Sequence, residues 1–306
     1  MTVKWKYFIF LLTLITATIW LAVLFYPDSR LRLIACDVGQ GDAILAISGK
    51  TQILIDGGPN SSVIKCLDRY IPFWDRKIEV VMLTHPQLDH YKGLIDVVKR
   101  YSVVNFITSG LDSSSQEFQV LKSQVGGRGI GVVNARSGTK VRVGMIYLDI
   151  LWPSSAFSAS ESKPNDVKEG NTASVEETND LGVFTSKRDP NDFSVVAIMS
   201  FKGFDALLTG DISPDQENQI ITAGLAKDVN YIKVPHHGSK NGLTKQMLDA
   251  TSPEVAVISS GKNNSYGHPH AEVLQMLREK DIRILRTDEV GDVVVESDGD
   301  KFWIKK

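Results

Sequence analysis

The chain has few residues of the kinds that mark a thiolate metal site or a nucleic-acid-binding surface. Only two cysteines occur among 306 residues, Cys36 and Cys66, and they form no CxxC spacing, which argues against zinc held by thiolates. The two cysteines either pair in an oxidising compartment or remain as buried free thiols. Lys and Arg number 34 against 36 Asp and Glu, so the strongly basic balance typical of nucleic-acid-binding proteins is absent.

The overall composition is that of an ordinary globular protein. Hydrophobic residues make up 42% of the chain and charged residues 23%, which is close to the average for soluble domains. The length suits one large domain or two small ones, and either can bury a sizeable core.

One long apolar run lies near the N-terminus. Residues 7–26 contain no charged side chain, and a helix of that length, rising about 1.5 Å per residue, spans the ~30 Å hydrocarbon core of a bilayer. Lys4 and Lys6 precede the run, so the positive-inside rule places the N-terminus in the cytoplasm and the rest outside. A cleaved signal peptide is the alternative, but no small-x-small cleavage site follows the run. We therefore expect residues 1–30 to be a single-pass membrane anchor and residues 31–306 to be an extracytoplasmic domain.

The rest of the chain opens with β-like runs and then alternates between strand and helix patterns. Residues 31–37, 42–48 and 51–55 are rich in Ile and Leu and are separated by glycine-containing turns. Later strand-like runs are followed in turn by helix-like stretches, through to three final strand-like runs. This order predicts two sheets packed face to face with helices outside.

One internal segment departs from this alternation. Residues 153–192 are rich in Ser, Asn, Asp, Glu and Lys and poor in apolar residues. Such a composition buries too little apolar surface to offset the entropy lost on ordering. We expect a disordered insertion within the domain.

Histidine is the residue type whose distribution is most informative. The six histidines fall in three tight clusters, each just after a predicted strand: His85 and His90, His236 and His237, and His268 and His270. Histidines used only for packing would be spread along the chain. Clustering beside Asp and Gly therefore points to a shared metal or catalytic site.

The first three motifs supply ligands of the type that bind transition metals. THPQLDH contributes His85, Asp89 and His90, TGD contributes Asp211, and PHHGS contributes His237. Imidazole and carboxylate ligands suit zinc, manganese or iron, and a carboxylate can bridge two ions. Taken singly, Asp89 and Asp211 could instead be helix caps, but the histidine clusters favour a ligand role.

Further polar residues near these motifs have less specific signals. His236, adjacent to His237, can face the substrate, and His268 or His270 in YGHPH can line the pocket or merely begin a helix. Asp56, at the end of another strand, either orients a ligand histidine or is a simple turn residue. Three lysines near the motifs either attract an anionic substrate or are plain solvated side chains: Lys233, Lys240 and Lys262.

These stretches together resemble the metallo-β-lactamase fold superfamily and, within it, the hydrolase domain of the ComEC competence-protein family. The matching motifs occur in the family's order and cover roughly residues 31–295: ACDVGQGDA, LIDGG, LTHPQLDH followed by Gly93, NDFSVV, LLTGD, KVPHHGS and YGHPH. The resemblance implies a four-layer αββα sandwich and a metal-dependent hydrolase. Its implied metal positions are His85, Gln87, Asp89, His90, Asp211 and His237.

The chain departs from the family pattern at three points. Gln87 stands where the HxHxDH motif has its second histidine, and glutamine is a poor transition-metal ligand. No histidine lies between His90 and His236, so the usual third-motif histidine is missing, and Asn191 or Ser194 stands in that neighbourhood. Competence proteins of this family resemble large polytopic channels, whereas one anchor is predicted here. We therefore expect one tightly held ion, zinc or manganese, and a second held weakly.

The predicted activity is hydrolysis of a phosphodiester or similar ester outside the cytoplasmic membrane. Asp89, His236 and His268 are the candidate catalytic residues, and the substrate could be DNA, in connection with a competence or uptake machinery. The alternative from a different class is a catalytically degenerate domain that acts as a binding or scaffold partner, which Gln87 favours. Hydrolysis of a small non-phosphate ester or a lactam is a third possibility.

Overall fold

A computed structural model of the protein describes residues 4–24, 28–161, 163–164 and 180–305. Its strands are β1 Leu31–Ala35, β2 Ile44–Ser48, β3 Thr51–Ile55, β4 Lys77–Met82, β5 Ser102–Thr108, β6 Gly131–Asn134, β7 Lys140–Val143, β8 Ile146–Trp152, β9 Lys163–Pro164, β10 Phe184–Thr185, β11 Val196–Phe201, β12 Phe204–Leu208, β13 Tyr231–Lys233, β14 Val255–Ile258, β15 Arg283–Arg286, β16 Val293–Ser297 and β17 Phe302–Lys305. Its α-helices are α1 Trp5–Leu24, α2 Ser62–Tyr70, α3 Leu88–Tyr91, α4 Leu94–Arg100, α5 Gln116–Gly127, α6 Ser155–Glu161, α7 Pro214–Thr222, α8 Lys245–Thr251, α9 Ala271–Glu279 and α10 Thr287–Val290.

Two large sheets carry most of the strands. The first has eight strands in the order β17-β16-β1-β2-β3-β4-β5-β6, and the second has seven in the order β15-β14-β13-β12-β11-β8-β7. In both sheets antiparallel strands on one side give way to parallel strands on the other: β3 to β6 run parallel in the first sheet and β12 to β15 in the second.

The alternation of side chains along each strand divides the core into layers. In β2, Ile44 and Ala46 face the second sheet, whereas Leu45 and Ile47 pack towards the helices, as the two-residue period of a strand requires. Apolar faces of α2, α4 and α5 cover the first sheet, and those of α7, α8 and α9 cover the second. The arrangement is the four-layer αββα sandwich, so the predicted fold class is confirmed for the domain.

The predicted anchor coincides in part with α1. The described helix ends at Leu24, whereas the predicted span extends to residue 26, and residues 25–27 lie outside the described residues. Across the described part of the chain, no helix has both the length and the apolar character needed to cross a membrane. The membrane anchor stays a prediction.

The structure differs from the prediction of disorder at both ends of the segment 153–192. Residues 155–161 form α6, and Leu181 and Phe184 are buried at 2% and 3% exposure. Phe184 and Phe193 lie with their ring centroids 5.5 Å apart. A few apolar side chains within a polar stretch are enough to hold these ends against the domain. Residues 162 and 165–179 lie outside the described residues.

Candidate metal centre

The motif residues lie in the loops at the carboxyl ends of strands from both sheets. β4 ends at Met82 and leads to His85 and α3, β12 ends at Leu208 and leads to Asp211, and β13 ends at Lys233 and leads to His237. Because the two sheets pack face to face, these loops meet at one edge of the sandwich. The first two histidine clusters follow strands directly, as expected, whereas His268 lies ten residues after the end of β14.

The loop after β13 has an unusual backbone. His236 and His237 both adopt the left-handed region, with φ angles of 51° and 54°, and Gly238 follows with a φ of 82°. A Cβ at Gly238 would lie 2.5 Å from the Cβ of Pro269, so only glycine fits at this position. Left-handed non-glycine residues are costly and concentrate at functional sites. In this turn His237 is buried, whereas His236 is partly exposed.

Four side chains converge at the shared edge: Asp89, His90, Asp211 and His237. One ligand atom from each lies within 4.8 Å of the others. Asp211 Oδ2 is 3.3 Å from His90 Nε2 and 3.2 Å from His237 Nε2, and Asp89 Oδ2 is 3.4 Å from His237 Nε2. Three of the four side chains are buried, and Asp89 is partly exposed. The geometry is that of a cation site with one open side.

Several buried atoms at the centre have no hydrogen-bond partner among the described residues. They are the Nε2 atoms of His85, His90 and His237 and Oδ1 of Asp211. Buried polar atoms are nearly always hydrogen-bonded, and exceptions call for an ion, a water or a functional role. Three of these atoms belong to the four converging side chains, and they are of types that bind transition metals, so the cluster fits a divalent cation.

The charges at the centre also fit a cation. Burial opposes the charged form of His90, but the carboxylates of Asp211 and Asp56 outweigh it and raise the pKa of His90 well above its usual range. The pKa of His237 is raised in the same way by Asp211 and Asp42. Burial raises the pKa of Asp89, yet hydrogen bonding to His237 and the nearby charges lower it to about 2. The carboxylates therefore attract positive charge to this point.

The carboxylate of Asp56 contacts the Nδ1 side of the His90 ring. Asp56 Oδ2 is 2.8 Å from His90 Nδ1, and the same carboxylate accepts hydrogen bonds from the backbone N–H and the hydroxyl of Thr84, each at 2.8 Å. A carboxylate that accepts the Nδ1 proton fixes the ring and leaves Nε2 for a metal. Of the two alternatives for Asp56, the geometry matches the orienting one.

His85 lies beside the four converging side chains rather than among them. Its ring centroid is 4.1 Å from that of His90. Its Nδ1 is 3.0 Å from the hydroxyl of Thr84 and 3.2 Å from that of Ser194, which in turn accepts the backbone N–H of Asp211 at 3.2 Å. Burial lowers the pKa of His85 to about 3, so the imidazole is neutral and able to bind metal. Ser194 therefore contacts His85 in the region where the third-motif histidine is missing.

Gln87 occupies the N-cap position of α3 and is partly exposed. Its side-chain amide lies 3.5 Å from Asp189 Oδ1, at the limit of a hydrogen bond. The side chain of Gln87 therefore lies close to the segment before β11. A ligand role at position 87 stays a prediction.

A second group of histidines lies at the mouth of the site. The His268 ring centroid is 5.8 Å from that of His236 and 4.9 Å from that of His270. Tyr266, 67% exposed, stacks on His268. Burial and the neighbouring histidines lower the pKa of His268 to about 4, so this ring is neutral at neutral pH and can accept a proton or a hydrogen bond.

Lys233 neither attracts substrate at the surface nor is a plain solvated side chain, so both alternatives given for it are wrong. The side chain is 1% exposed, and its ammonium lies 2.6 Å from Asp42 Oδ2. Its place at the end of β13, between two buried sheets, explains the burial. Lys240 and Lys262 are exposed, as expected.

Asp42 is the site residue that sequence reasoning missed. It was visible only as part of the motif ACDVGQGDA, with no role assigned to it. In the structure it is 2% exposed, and its Oδ1 is 3.4 Å from His237 Nδ1. The signal was its position in a glycine-containing turn just before the apolar strand β2.

Comparison with known proteins places the chain in a family. Residues 36–262 match the family model of the metallo-beta-lactamase superfamily. The chain is 27% identical over 303 residues to ComE operon protein 3 of Bacillus subtilis (strain 168), covering 91% of this chain and 35% of that protein. It is 24% identical over 276 residues to Recombination protein 2 of Haemophilus influenzae, covering 88% of this chain and 29% of the relative.

A shorter match links the chain to a third competence-related protein. It is 36% identical over 104 residues to Competence protein ComA of Neisseria gonorrhoeae, covering 34% of this chain and 15% of that protein. The chain thus spans about a third or less of the length of these curated relatives.

Solved structures show the same fold at low sequence identity. The metallo-beta-lactamase fold protein YhfI from Bacillus subtilis superposes with a TM-score of 0.53 at 13% identity, covering 88% of this chain and all of that one. Igni18, a metallo hydrolase from Ignicoccus hospitalis, superposes with a TM-score of 0.50 at 15% identity, covering 86% and 98%. The motifs, the αββα sandwich and the match over most of its length lead to one assignment: this chain belongs to the metallo-β-lactamase superfamily.

Proposed function

We propose that the protein is a metal-dependent hydrolase that acts on phosphodiesters. The observation that carries the proposal is the convergence of Asp89, His90, Asp211 and His237 within 4.8 Å, with buried ligand atoms that have no partner among the described residues. Zinc or manganese suits this mixture of imidazole and carboxylate ligands. A bound cation of this kind polarises a phosphoryl oxygen and lowers the pKa of bound water towards ~7.

The residues of the centre divide into those that hold the cation and those that face the substrate. His90, Asp211 and His237 are deeply buried, so they suit the first task. Asp89 is 32% exposed at its side chain, and it faces both the cluster and the open side. His236 and His268 stand at the mouth, where one can bind the phosphoryl oxygen and the other can accept a proton.

The rings of His236 and His268 are partly exposed, which supports the proposal that they contact the substrate. The lowered pKa of His268 leaves that ring neutral, so it suits the role of proton acceptor.

The names of the relatives support a link with DNA uptake. Two of the three are named for competence or its operon and the third for recombination. We infer that the phosphodiester substrate is DNA, and that the protein works with a competence or uptake machinery. Exposed Lys240 and Lys262, near the mouth, provide positive charge for a phosphate backbone.

The cysteines support the proposal of a location outside the cytoplasm. Cys36 and Cys66 form a disulfide, and structural disulfides persist in oxidising compartments and are rare in the cytosol. Alkylation of free thiols in intact cells, followed by reduction and a second alkylation, should label both cysteines only in the second step. Labelling of both in the first step would contradict this location.

Hydrolysis assays with purified protein test the proposed activity. The full chain loaded with zinc or manganese should hydrolyse bis(p-nitrophenyl) phosphate and single-stranded DNA but not a chromogenic lactam. Asp211→Asn should abolish both activities, and His236→Gln should lower kcat by about 100-fold while metal stays bound.

A degenerate binding domain is the second candidate function, favoured by Gln87 in place of a ligand histidine. Loaded protein that hydrolyses none of these substrates but still binds DNA would support that candidate and exclude the enzyme. Hydrolysis of the lactam alone would show that the substrate is a lactam and not a phosphodiester.

A further inference from the structure

A buried ion pair lies behind the metal centre, and the proposed hydrolysis does not use it. Lys233 and Asp42 are 1% and 2% exposed, and the ammonium lies 2.6 Å from Asp42 Oδ2. The ammonium also donates to the carbonyl of Val234 at 2.9 Å. Burying two charges is costly, and apolar residues of similar size would often be more stable. Their presence at this point therefore calls for a role other than stability.

The second oxygen of Asp42 faces a ligand histidine. Oδ1 lies 3.4 Å from His237 Nδ1 and has no hydrogen-bond partner among the described residues. The same Nδ1 is 3.0 Å from the carbonyl of Ser259. With both acceptors on one side of the ring, the proton belongs on Nδ1. His237 Nε2 then keeps its lone pair on the side of Asp211, 3.2 Å away.

His237 is thus held from behind much as His90 is held by Asp56. The two histidines differ in the partners of the carboxylate that contacts each of them. Asp56 accepts two hydrogen bonds from Thr84, whereas Asp42 is held by the ammonium of Lys233.

The different partners of Asp42 and Asp56 have an electrostatic reason. Asp42, Asp56 and His90 present ligand atoms within 4.8 Å of one another. Two bare carboxylates at this distance would repel each other and together form a competing cation site. The ammonium of Lys233 neutralises Asp42 and prevents this.

The pair also joins the two sheets at the site. Lys233 is the last residue of β13 in the second sheet, and Asp42 lies just before β2 in the first. The backbone N–H of Asp42 donates to the carbonyl of Asp89 at 3.2 Å. One residue therefore contacts a ligand from each half of the sandwich, Asp89 through its backbone and His237 through its side chain.

We propose that Lys233 and Asp42 are positioning residues, which hold His237 with Nε2 directed at the metal and align the ligands from the two sheets. The inference rests on the proposed metal centre. It predicts that the pair sets metal affinity and coordination geometry rather than fold stability alone.

The test replaces both charges at once, because a single change would leave a buried charge unpaired. Asp42→Asn combined with Lys233→Met should bind zinc 10- to 100-fold more weakly than the natural chain, the range seen when groups behind metal ligands are removed. The visible absorption of the cobalt-loaded protein should also shift.

The matched control is Asp112→Asn with Lys122→Met, a pair joined at 2.8 Å on α5 and the loop before it. It should change neither the zinc affinity nor the cobalt spectrum.

A folded double variant with natural zinc affinity and an unchanged cobalt spectrum would overturn the inference while leaving the metal centre intact. A natural chain that binds no zinc would remove the metal centre and this inference with it. If the double variant does not fold, ¹⁵N NMR of the zinc-loaded natural chain decides the question. His237 should carry its proton on Nδ1, and metal bound through Nδ1 would contradict the inference.

Discussion

At the scale of single residues, each candidate ligand histidine has one ring nitrogen in contact with a polar group, and its other nitrogen is left for the centre. His90 is held by Asp56 at 2.8 Å and His237 by the Ser259 carbonyl at 3.0 Å. The Nδ1 of His85 lies near two hydroxyls, those of Thr84 and Ser194. A hydroxyl fixes a tautomer less firmly than a carboxylate, so the part of the site around His85 should be the weaker one.

Introducing a histidine at position 87 tests the prediction that the part of the site around His85 is the weaker one. Gln87→His supplies an imidazole close in sequence to His85, whose Nε2 is buried and without a hydrogen-bond partner in the described chain. We expect bound zinc to rise from about one to about two ions per chain in metal analysis, because a second site gains the ligand it lacks.

The control for this change is Gln119→His on the exposed surface of α5, which should leave the zinc content unchanged. A Gln87→His protein that still holds a single ion would show that position 87 is too far from His85 to share a metal with it.

Glu217 gives the fold a dependence on pH. It is fully buried on α7, accepts the backbone N–H of Thr244 at 2.9 Å, and has its pKa raised by burial from 4.5 to about 8. Between these two values the folded protein keeps a proton that the unfolded chain has released. The stabilising contribution is therefore complete below the unfolded pKa and is lost as the pH rises to about 8.

Glu217→Gln should remove this dependence. The free energy of unfolding of the natural chain should fall by up to roughly 5 kcal/mol between about pH 5 and 8, and the variant should lose that component. Urea unfolding at several pH values measures it, with Asp215→Asn on the exposed face of the same helix as the control. Identical pH profiles for the natural chain and Glu217→Gln would exclude a buried, protonated Glu217.

At the scale of elements, the disulfide connects the end of β1 to α2. Cys36 and Cys66 are separated by 30 residues, and closing a loop of that size stabilises a fold by about 3 to 4 kcal/mol. Replacing both cysteines by alanine should lower the free energy of unfolding by at least that amount, because both side chains are also buried. The same loss should appear when the natural chain is unfolded in dithiothreitol.

Equal stability of the natural chain with and without dithiothreitol would mean that the cysteines are not paired. The control is the alanine variant itself, which should not respond to dithiothreitol.

The strands and helices could largely be predicted from the sequence where burial leaves an apolar pattern. β2 and β14 are apolar runs because both of their faces are covered. β7 was not predicted: each of its residues is at least partly exposed, so no apolar run marks it. Tertiary packing, rather than local pattern, also orders α6 and the residues around Phe184.

The site was predictable to the extent that its residues have distinctive chemistry. Histidine is a common metal ligand and acid–base group, so its clusters marked the loops of the centre. Lys233 was misplaced because a lysine is usually exposed, and nothing in the local sequence shows that Asp42, almost 200 residues earlier, neutralises it. Pairing across two sheets is a property of the fold, and only the structure displays it.

At the scale of the whole molecule, the centre exists only where the two halves of the sandwich meet. Asp89 and His90 come from the first sheet, and Asp211 and His237 come from the second. Neither half supplies enough ligands by itself. A cation that binds all four should therefore stabilise the folded domain as a unit, by about 2.7 kcal/mol at a free concentration 100 times its dissociation constant.

Metal analysis of the purified full chain tests the account most directly. The natural protein, dialysed against zinc and then against metal-free buffer, should retain about one ion per chain. Asp211→Asn should retain almost none, because Asp211 lies within 3.3 Å of both ligand histidines. Asp249→Asn, which changes an exposed carboxylate paired with Lys280, should behave like the natural chain. A natural protein that retains no ion, or an Asp211→Asn protein that retains a full complement, would contradict the account.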